Sequence, residues 1–202
     1  MGFSVLEKPT SDSEPKILHF GTCSLPQTVL AYGSYPFCYV NAALEIQSHV
    51  ISLVQLHKPD VIVIEETNLG RNRYSQKMLE FIHCVVAQWL SVNFSGRTVY
   101  ISSSVWRQKL GLQMTKDDKK RNSNINKIKK QSKDENGKID LKKFNQLKKT
   151  SGFRGKVTQK HIALRYVDTV YGIKLKSKDN DQADAICLAL AFFMGATPCD
   201  GM

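Results

Sequence analysis

The apolar and polar positions along the chain follow two periods, and these predict strands and helices in alternation. Short apolar stretches at residues 2–7 and 16–26 predict the two strands of a hairpin, joined by a polar turn that contains two prolines. The continuous apolar run at residues 60–65 is too short for a helix and is typical of a strand buried on both faces. A further strand is predicted at residues 98–102.

Helices are predicted where apolar residues recur at intervals of three and four. This spacing occurs in five segments, at residues 39–57, 74–91, 104–111, 158–171 and 181–194. Gly111, Gly172 and Gly195 stand at or just after the ends of three of these segments, where glycine adopts the left-handed conformation that closes a helix. Alternating strands and helices predict an α/β fold with a sheet between helices.

One segment departs from this pattern because it is dominated by lysine and asparagine. Residues 116–149 hold thirteen basic and five acidic side chains, and so carry +8 of the formal charge of +11. Few apolar positions interrupt this charge, which predicts a mobile arm or a weakly held helical pair outside the core. We therefore expect a single domain over residues 1–202 that contains a basic insertion at residues 112–153.

The positive charge favours a polyanionic partner, either nucleic acid or an anionic membrane surface. The longest apolar run, at residues 185–195, is shorter than the roughly 20 residues that cross a bilayer, so we expect a soluble, intracellular protein. Five cysteines lie far apart and never take the Cys-x-x-Cys spacing, which predicts reduced thiols and no zinc or redox motif.

The first candidate for chemistry is Glu65, which ends the apolar run Val61–Glu65. The carboxyl ends of such strands are where α/β proteins place their sites. A buried carboxylate is costly unless it is paired or binds a metal ion. The alternative is that the strand simply ends there, so that Glu65 and Glu66 are both solvated.

The second candidate is a pair of aspartates at the start of the last helix. Asp181 and Asp184 lie three residues apart, so they share one face of its first turn. Considered alone, such acids are better explained by capping and compensation of the helix dipole. Together with Glu65, they provide the oxygen ligands that Mg²⁺ and Mn²⁺ prefer, and a basic protein with a carboxylate cluster is typical of a nuclease.

The order of these segments resembles the RuvC-type Holliday junction resolvases, a branch of the ribonuclease H-like superfamily. The matching segments are residues 2–6, 17–21, 58–66 and 181–186. The resemblance implies a ribonuclease H-like mixed sheet flanked by helices, and a metal-dependent endonuclease that resolves four-way (Holliday) or branched DNA. It also implies a homodimer formed through the helix at residues 74–91, and two Mg²⁺ or Mn²⁺ ions per site held by Glu65, Asp181, Asp184 and a fourth acid.

The fourth acid of the family follows a first strand that precedes the segment matching residues 1–6, and this chain lacks both. In the family that strand lies between the hairpin and the strand ending at Glu65, so we expect two unpaired inner edges and a truncated or misassigned start. Without the acid we expect weak metal binding and poor cleavage. The alternative function is a catalytically impaired protein that binds branched or duplex nucleic acid without cleaving it.

Nine further residues are candidates for contact with nucleic acid: Arg71, Arg73, Tyr74, Lys119, Lys120, Arg121, Arg154, Lys156 and Lys160. The first three resemble the junction-contacting region of the family, where an aromatic ring stacks on an exposed base. The next three belong to the basic insertion, whose charges neutralise phosphates. The last three resemble basic residues near the family's active site, although a solvated helix end explains them as well. Trp89 and Trp106 are predicted to be packing residues.

Overall fold

The computed structural model describes residues 1–8, 10, 13–25, 34–66, 73–152 and 155–197. The chain divides into two compact units. The first combines residues 1–111 with those from 178 onward, and the second consists of residues 112–177. The second unit therefore contains the whole predicted insertion and continues beyond it to residue 177.

The described strands all belong to the first unit, where they form two small sheets. They are β1 (Gly2–Glu7), β2 (Lys16–Thr22), β3 (Val61–Glu65) and β4 (Arg97–Ile101). β1 pairs with β2 in antiparallel, and β3 pairs with β4 in parallel. The predicted mixed α/β class is confirmed, with two separate two-stranded sheets where a single mixed sheet was expected.

Because each sheet has two strands, β1 and β3 both have an edge that pairs with no other strand in the described part of the chain. The two sheets are nevertheless held on one core. Phe3 of β1 and Ile62 and Ile64 of β3 pack against the same buried cluster.

The described residues form seven α-helices, four in the first unit and three in the second. They are α1 (Phe37–His57), α2 (Arg73–Asn93), α3 (Ser103–Lys109), α4 (Lys116–Gln131), α5 (Leu141–Thr150), α6 (Gln159–Tyr171) and α7 (Asn180–Phe193). All five predicted helical segments are present, with ends that differ by a few residues. Gly172 closes α6 in the left-handed conformation at φ 67°, as predicted.

The core of the first unit lies where α1, α2 and α7 meet the sheets. Ile46 of α1 and Val86 and Leu90 of α2 form the buried cluster that carries both sheets. α7 packs against β1, β2, β3 and α3, and it is buried over most of its length because its sequence is apolar on several faces. Cys187, like Cys23 and Cys38, is a buried free thiol.

The second unit is helical, which corresponds to the helical pair among the two expectations for the basic segment. α4 begins with a capping box in which Thr115 accepts from the Asp118 N–H and the Asp118 carboxylate accepts from the Thr115 N–H. Asp118 also pairs with Arg165 at 3.1 Å. Ile125 and Ile128 are buried, so the few apolar residues of this segment form a small core.

Candidate functional site

The first side of the candidate site is the carboxyl edge of the parallel pair β3 and β4. Glu65 is the last residue of β3 and lies opposite Ile101, the last residue of β4. The Glu66 N–H donates to the Ile101 carbonyl at 3.0 Å, so the two strands end together. The chain that leaves β4 therefore passes beside Glu65, and it turns at once into α3, which carries Trp106 and Arg107.

The second side is the start of α7, which the hairpin holds in place. Ser4 of β1 donates its hydroxyl hydrogen to the Ala185 carbonyl at 2.9 Å. Gly2 lies so close to α7 that an added Cβ would come within 1.9 Å of the Asp181 carbonyl oxygen. Only glycine fits this contact, since any other residue would push the helix away. The position of Asp181 and Asp184 is thus fixed by β1.

Asp181 and Asp184 lie within electrostatic range of Glu65, although they follow it by 116 and 119 positions. Burial raises the pKa of the Glu65 carboxyl. The charges of Asp184 and Asp181 raise this pKa as well, while Arg107 opposes the shift. The fold accounts for this influence, since α7 packs against β3.

A guanidinium group lies among these acids. Arg107 Nη2 is 3.5 Å from Asp184 Oδ2, and both side chains are largely buried, with exposed fractions of 21% and 14%. The guanidinium also stacks on the ring of Trp106, with 4.3 Å between its carbon and the ring centroid. Arg107 is therefore a cation held in the site by one carboxylate and one aromatic face.

Trp106 is fully buried and lies beneath both charged groups. Its Nε1 has no hydrogen-bond partner of standard geometry among the described residues, yet it lies near enough to the Glu65 carboxyl to favour the charged form. Trp106 is thus a packing residue, as predicted, and also supplies a buried N–H near the candidate site.

Sequence reasoning missed Arg107. A signal for it exists, because residues that follow a strand parallel to β3 emerge at the same sheet edge as Glu65. The short helix after β4 was predicted, and it contains Arg107 as one of two basic residues in its last turn. What the sequence does not show is that β4 is the neighbour of β3.

The donor set fits a divalent cation in kind, since three carboxylates provide only oxygen ligands and negative charge. In the described ranges, however, no three His, Cys, Asp or Glu side chains are grouped so that they could hold a metal ion. Asp184 instead contacts the guanidinium of Arg107, whose charge also acts on Glu65. The negative charge and the oxygen donors therefore suit a divalent cation. The side-chain positions, however, are those of a site whose negative charge is balanced by an arginine.

Cys187 is one turn along α7 from Asp184 and adds no ligand. Burial, with a further contribution from Asp184, raises the pKa of its thiol to about 12. The thiol therefore remains protonated at neutral pH. Mg²⁺ and Mn²⁺ prefer oxygen ligands, so we assign this thiol no role as a ligand.

Two of the predicted nucleic-acid contacts lie at the start of α2 in the first unit. Arg73 is exposed, and Tyr74 is 54% exposed. The Tyr74 ring packs against Tyr39 with 5.2 Å between centroids, so one face of it is used within the fold. Arg71 lies outside the described residues, and so does Arg154.

The remaining predicted contacts belong to the second unit. Lys119, Lys120, Lys156 and Lys160 are exposed, as phosphate-binding side chains must be, whereas Arg121 is half-buried. The Arg121 Nε is buried and has no hydrogen-bond partner within the described part of the chain. We therefore interpret the four lysines as surface charges and Arg121 as a residue that contributes mainly to packing.

A comparison of the chain with protein-family models, curated proteins and solved structures finds no match. A search of the described residues for a helix long and apolar enough to cross a membrane finds none. The function therefore has to be inferred from the residues of the chain.

Proposed function

We propose that this protein is a divalent-metal-dependent endonuclease that cleaves branched DNA, including four-way junctions, in the manner of the RuvC-type resolvases it resembles. The observation that supports the proposal is that two aspartates at the start of α7 act electrostatically on Glu65 at the end of β3. Acids brought within range of one another by folding repel, so the fold holds them there at a cost. Such a cost is typical of a functional site.

In this function Glu65, Asp181 and Asp184 would hold the cations, and Mg²⁺ or Mn²⁺ held there would supply water activation and charge stabilisation at the phosphate. The protein's own contribution is to keep the donors in place: β3 positions Glu65, and β1 positions the start of α7. Trp106 packs its ring against Arg107 and keeps its N–H near the Glu65 carboxyl.

The second unit supplies the affinity for DNA. Residues 116–149 carry a net charge of +8, and their lysines lie on short helices where they are accessible to phosphates. These contacts do not read the sequence, so recognition of a branch has to come from the shape of the DNA. Arg73 and Tyr74 are our candidates for contact with unpaired bases.

The proposal includes a homodimer, because a four-way junction has two strands to be cut. α2 exposes Leu79 at 46% and Val92 at 79%, two apolar side chains on different sides of the helix, each of which is available to a partner copy. If α2 forms the interface, Leu79→Asp together with Val92→Asp converts a dimer into a monomer in sedimentation velocity. Dimers of undiminished stability in that double variant would move the interface elsewhere.

A second candidate function is binding of branched or duplex DNA without cleavage. It is favoured by the contact between Arg107 and Asp184 and by the lack of a grouped set of three metal ligands among the described residues. Phosphate contacts need only the lysines, so binding does not depend on the acid cluster.

A cleavage assay on four-way, flap and linear DNA in Mg²⁺ or Mn²⁺ separates the two candidates. For the endonuclease we expect cleavage of branched substrates that EDTA abolishes. Glu65→Gln and Asp184→Asn should each lower the rate at least about 100-fold, since each removes a charge from the reacting centre. DNA binding in Ca²⁺ should survive in both variants.

The matched control is Glu66→Gln, which makes the same change at the exposed neighbouring residue. It should leave the rate within about twofold of the parent chain. Unimpaired cleavage by Glu65→Gln would contradict the assignment of the site. Binding to branched DNA with no cleavage under any of these conditions would favour the second candidate.

A further inference from the structure

The negative charge of the acid site is already partly neutralised by the protein itself. Arg107 lies 3.5 Å from Asp184 and opposes the effect of the acids on Glu65. An arginine cannot lose its proton under physiological conditions, so its charge is permanent. It is also largely buried, at 21% exposure, and water therefore screens this charge only in part.

We propose that Arg107 is a built-in counter-ion for the acid site, and that a divalent cation binds there only when the guanidinium moves away from Asp184. The inference rests on the proposed function, since it concerns how the same three acids accept a metal ion. Asp184 Oδ2 cannot serve the guanidinium and a nearby metal ion equally well, because two cations at such short range repel each other. Metal binding and the Arg107–Asp184 pair are thus competing states.

The geometry of the pair suits a contact that must break. Charge-assisted hydrogen bonds of this type are usually about 2.7–2.9 Å long, whereas the Arg107–Asp184 distance is 3.5 Å. The Arg107 Nε is buried without a hydrogen-bond partner in the described part of the chain, so the guanidinium is bound to the site by few directed contacts. Its stacking on Trp106 does not require Asp184 and can continue after the pair separates.

This arrangement allows the acids to stay together when no cation is bound, and it lowers the affinity for a cation by the free energy of the ion pair. Removing the charge at position 107 should therefore strengthen metal binding, whereas a residue that merely helps folding would weaken it. The sign of the change in metal affinity therefore distinguishes a counter-ion role of Arg107 from a purely structural one.

The test is Mn²⁺ binding, measured by isothermal titration calorimetry on the full chain without DNA. We expect Arg107→Gln to bind Mn²⁺ at least about fivefold more tightly than the parent chain. Arg97→Gln is the matched control, because Arg97 is exposed at the start of β4 and its change alters the net charge equally. Its Kd should stay within about twofold of the parent value.

Equal or weaker Mn²⁺ binding by Arg107→Gln than by Arg97→Gln would overturn the inference while leaving the metal site intact. No binding by any of the three proteins would overturn both the inference and the proposed metal dependence. A second measurement covers the case in which Arg107→Gln fails to fold. In the parent chain, titration with Mg²⁺ should shift the assigned Arg107 Nε–H NMR signal together with the amide signals of Asp181 and Asp184.

If the Asp181 and Asp184 amide signals shift while the Arg107 signal does not, Arg107 is not displaced and the inference is wrong. If none of these signals moves at saturating Mg²⁺, the acids are not a metal site at all. The calorimetric and spectroscopic results thus separate failure of the inference from failure of the proposed function.

Discussion

Each unit contains a carboxylate under the influence of an arginine, Asp118 in one and Glu65 in the other, and their pKa values are shifted in opposite directions. Asp118 in the second unit is 7% exposed. Burial raises its pKa, but hydrogen bonds from Arg165 and Thr115 outweigh this effect, and the pKa of Asp118 lies below its ordinary value. Glu65 in the first unit has Arg107 nearby, yet burial and two further acids keep its pKa above the ordinary value.

The comparison distinguishes a structural acid from a candidate functional one. Asp118 is a satisfied capping residue, and its charge contributes to the stability of α4. The charged form of Glu65 is destabilised by its surroundings. Retaining an acid at such a position is expected when the charge serves binding or catalysis.

The largest effect on stability should come from Trp106, the buried aromatic side chain at the acid site. Trp106→Ala removes a fully buried ring and should lower the free energy of unfolding by about 3–5 kcal/mol, measured by urea denaturation. Trp89→Ala is the matched control, because Trp89 is only partly buried against the core of the same unit. A smaller loss in Trp106→Ala than in Trp89→Ala would contradict the role given to Trp106.

The next effect concerns DNA affinity and the second unit. Lys119→Gln combined with Lys120→Gln removes two exposed charges from α4 and should weaken DNA binding at least about tenfold at low salt. The slope of log affinity against log salt concentration should decrease by about two. Lys16→Gln with Arg97→Gln is the control, since it removes two exposed charges from the first unit.

An unchanged salt slope in the Lys119 and Lys120 variant would show that α4 does not contact phosphates. A slope that falls equally in the control would mean that binding depends on net charge alone. Either result would remove the contrast between an acid site in one unit and a DNA-binding surface in the other.

A smaller effect is expected at the cap that orders α4. Thr115→Ala removes the hydroxyl that accepts from the Asp118 N–H and should cost about 1 kcal/mol of stability. Thr150→Ala makes the same substitution at the exposed C-terminal end of α5, where the hydroxyl donates to the Gln146 carbonyl. Its effect, measured in the same denaturation experiment, should be close to zero.

Much of the fold could be predicted from the sequence, because strands and helices have local signatures. Periodicity and glycine alone located two helices, which end at Lys109 and Tyr171 shortly before Gly111 and Gly172. Periodicity also located the strand that ends at Glu65. The pairing of β3 with β4 was not predictable in the same way, since it depends on contacts between residues more than 30 positions apart. Arg107 was missed for that reason.

The candidate site shows the same limit. Glu65, Asp181 and Asp184 could be selected because acids beside apolar runs are conspicuous in the sequence. Whether these acids are compensated by a metal ion, by arginine or by solvent is decided by tertiary packing.

The last prediction tests the contrast between Glu65 and Asp118 through the pH dependence of stability. Because the pKa of Glu65 is raised in the folded state, the folded chain holds this proton more tightly than the unfolded chain does. Ionisation of Glu65 therefore costs stability as the pH rises above the ordinary value of 4.5. In EDTA, Glu65→Gln should be more stable than the parent chain at pH 7, and this advantage should disappear below pH 4.5.

Asp118→Asn should show the reverse dependence, because the pKa of Asp118 is lowered in the folded state. The parent chain's advantage over Asp118→Asn is then fully present above the ordinary value of 3.8 and decreases as the pH falls below it. Urea denaturation between pH 3 and pH 8 compares both variants with Glu66→Gln. The difference in free energy of unfolding between Glu66→Gln and the parent chain should not change sign over this range. If Glu65→Gln destabilises the chain at pH 7, the Glu65 carboxylate is a structural acid like Asp118, and the distinction between the two units fails.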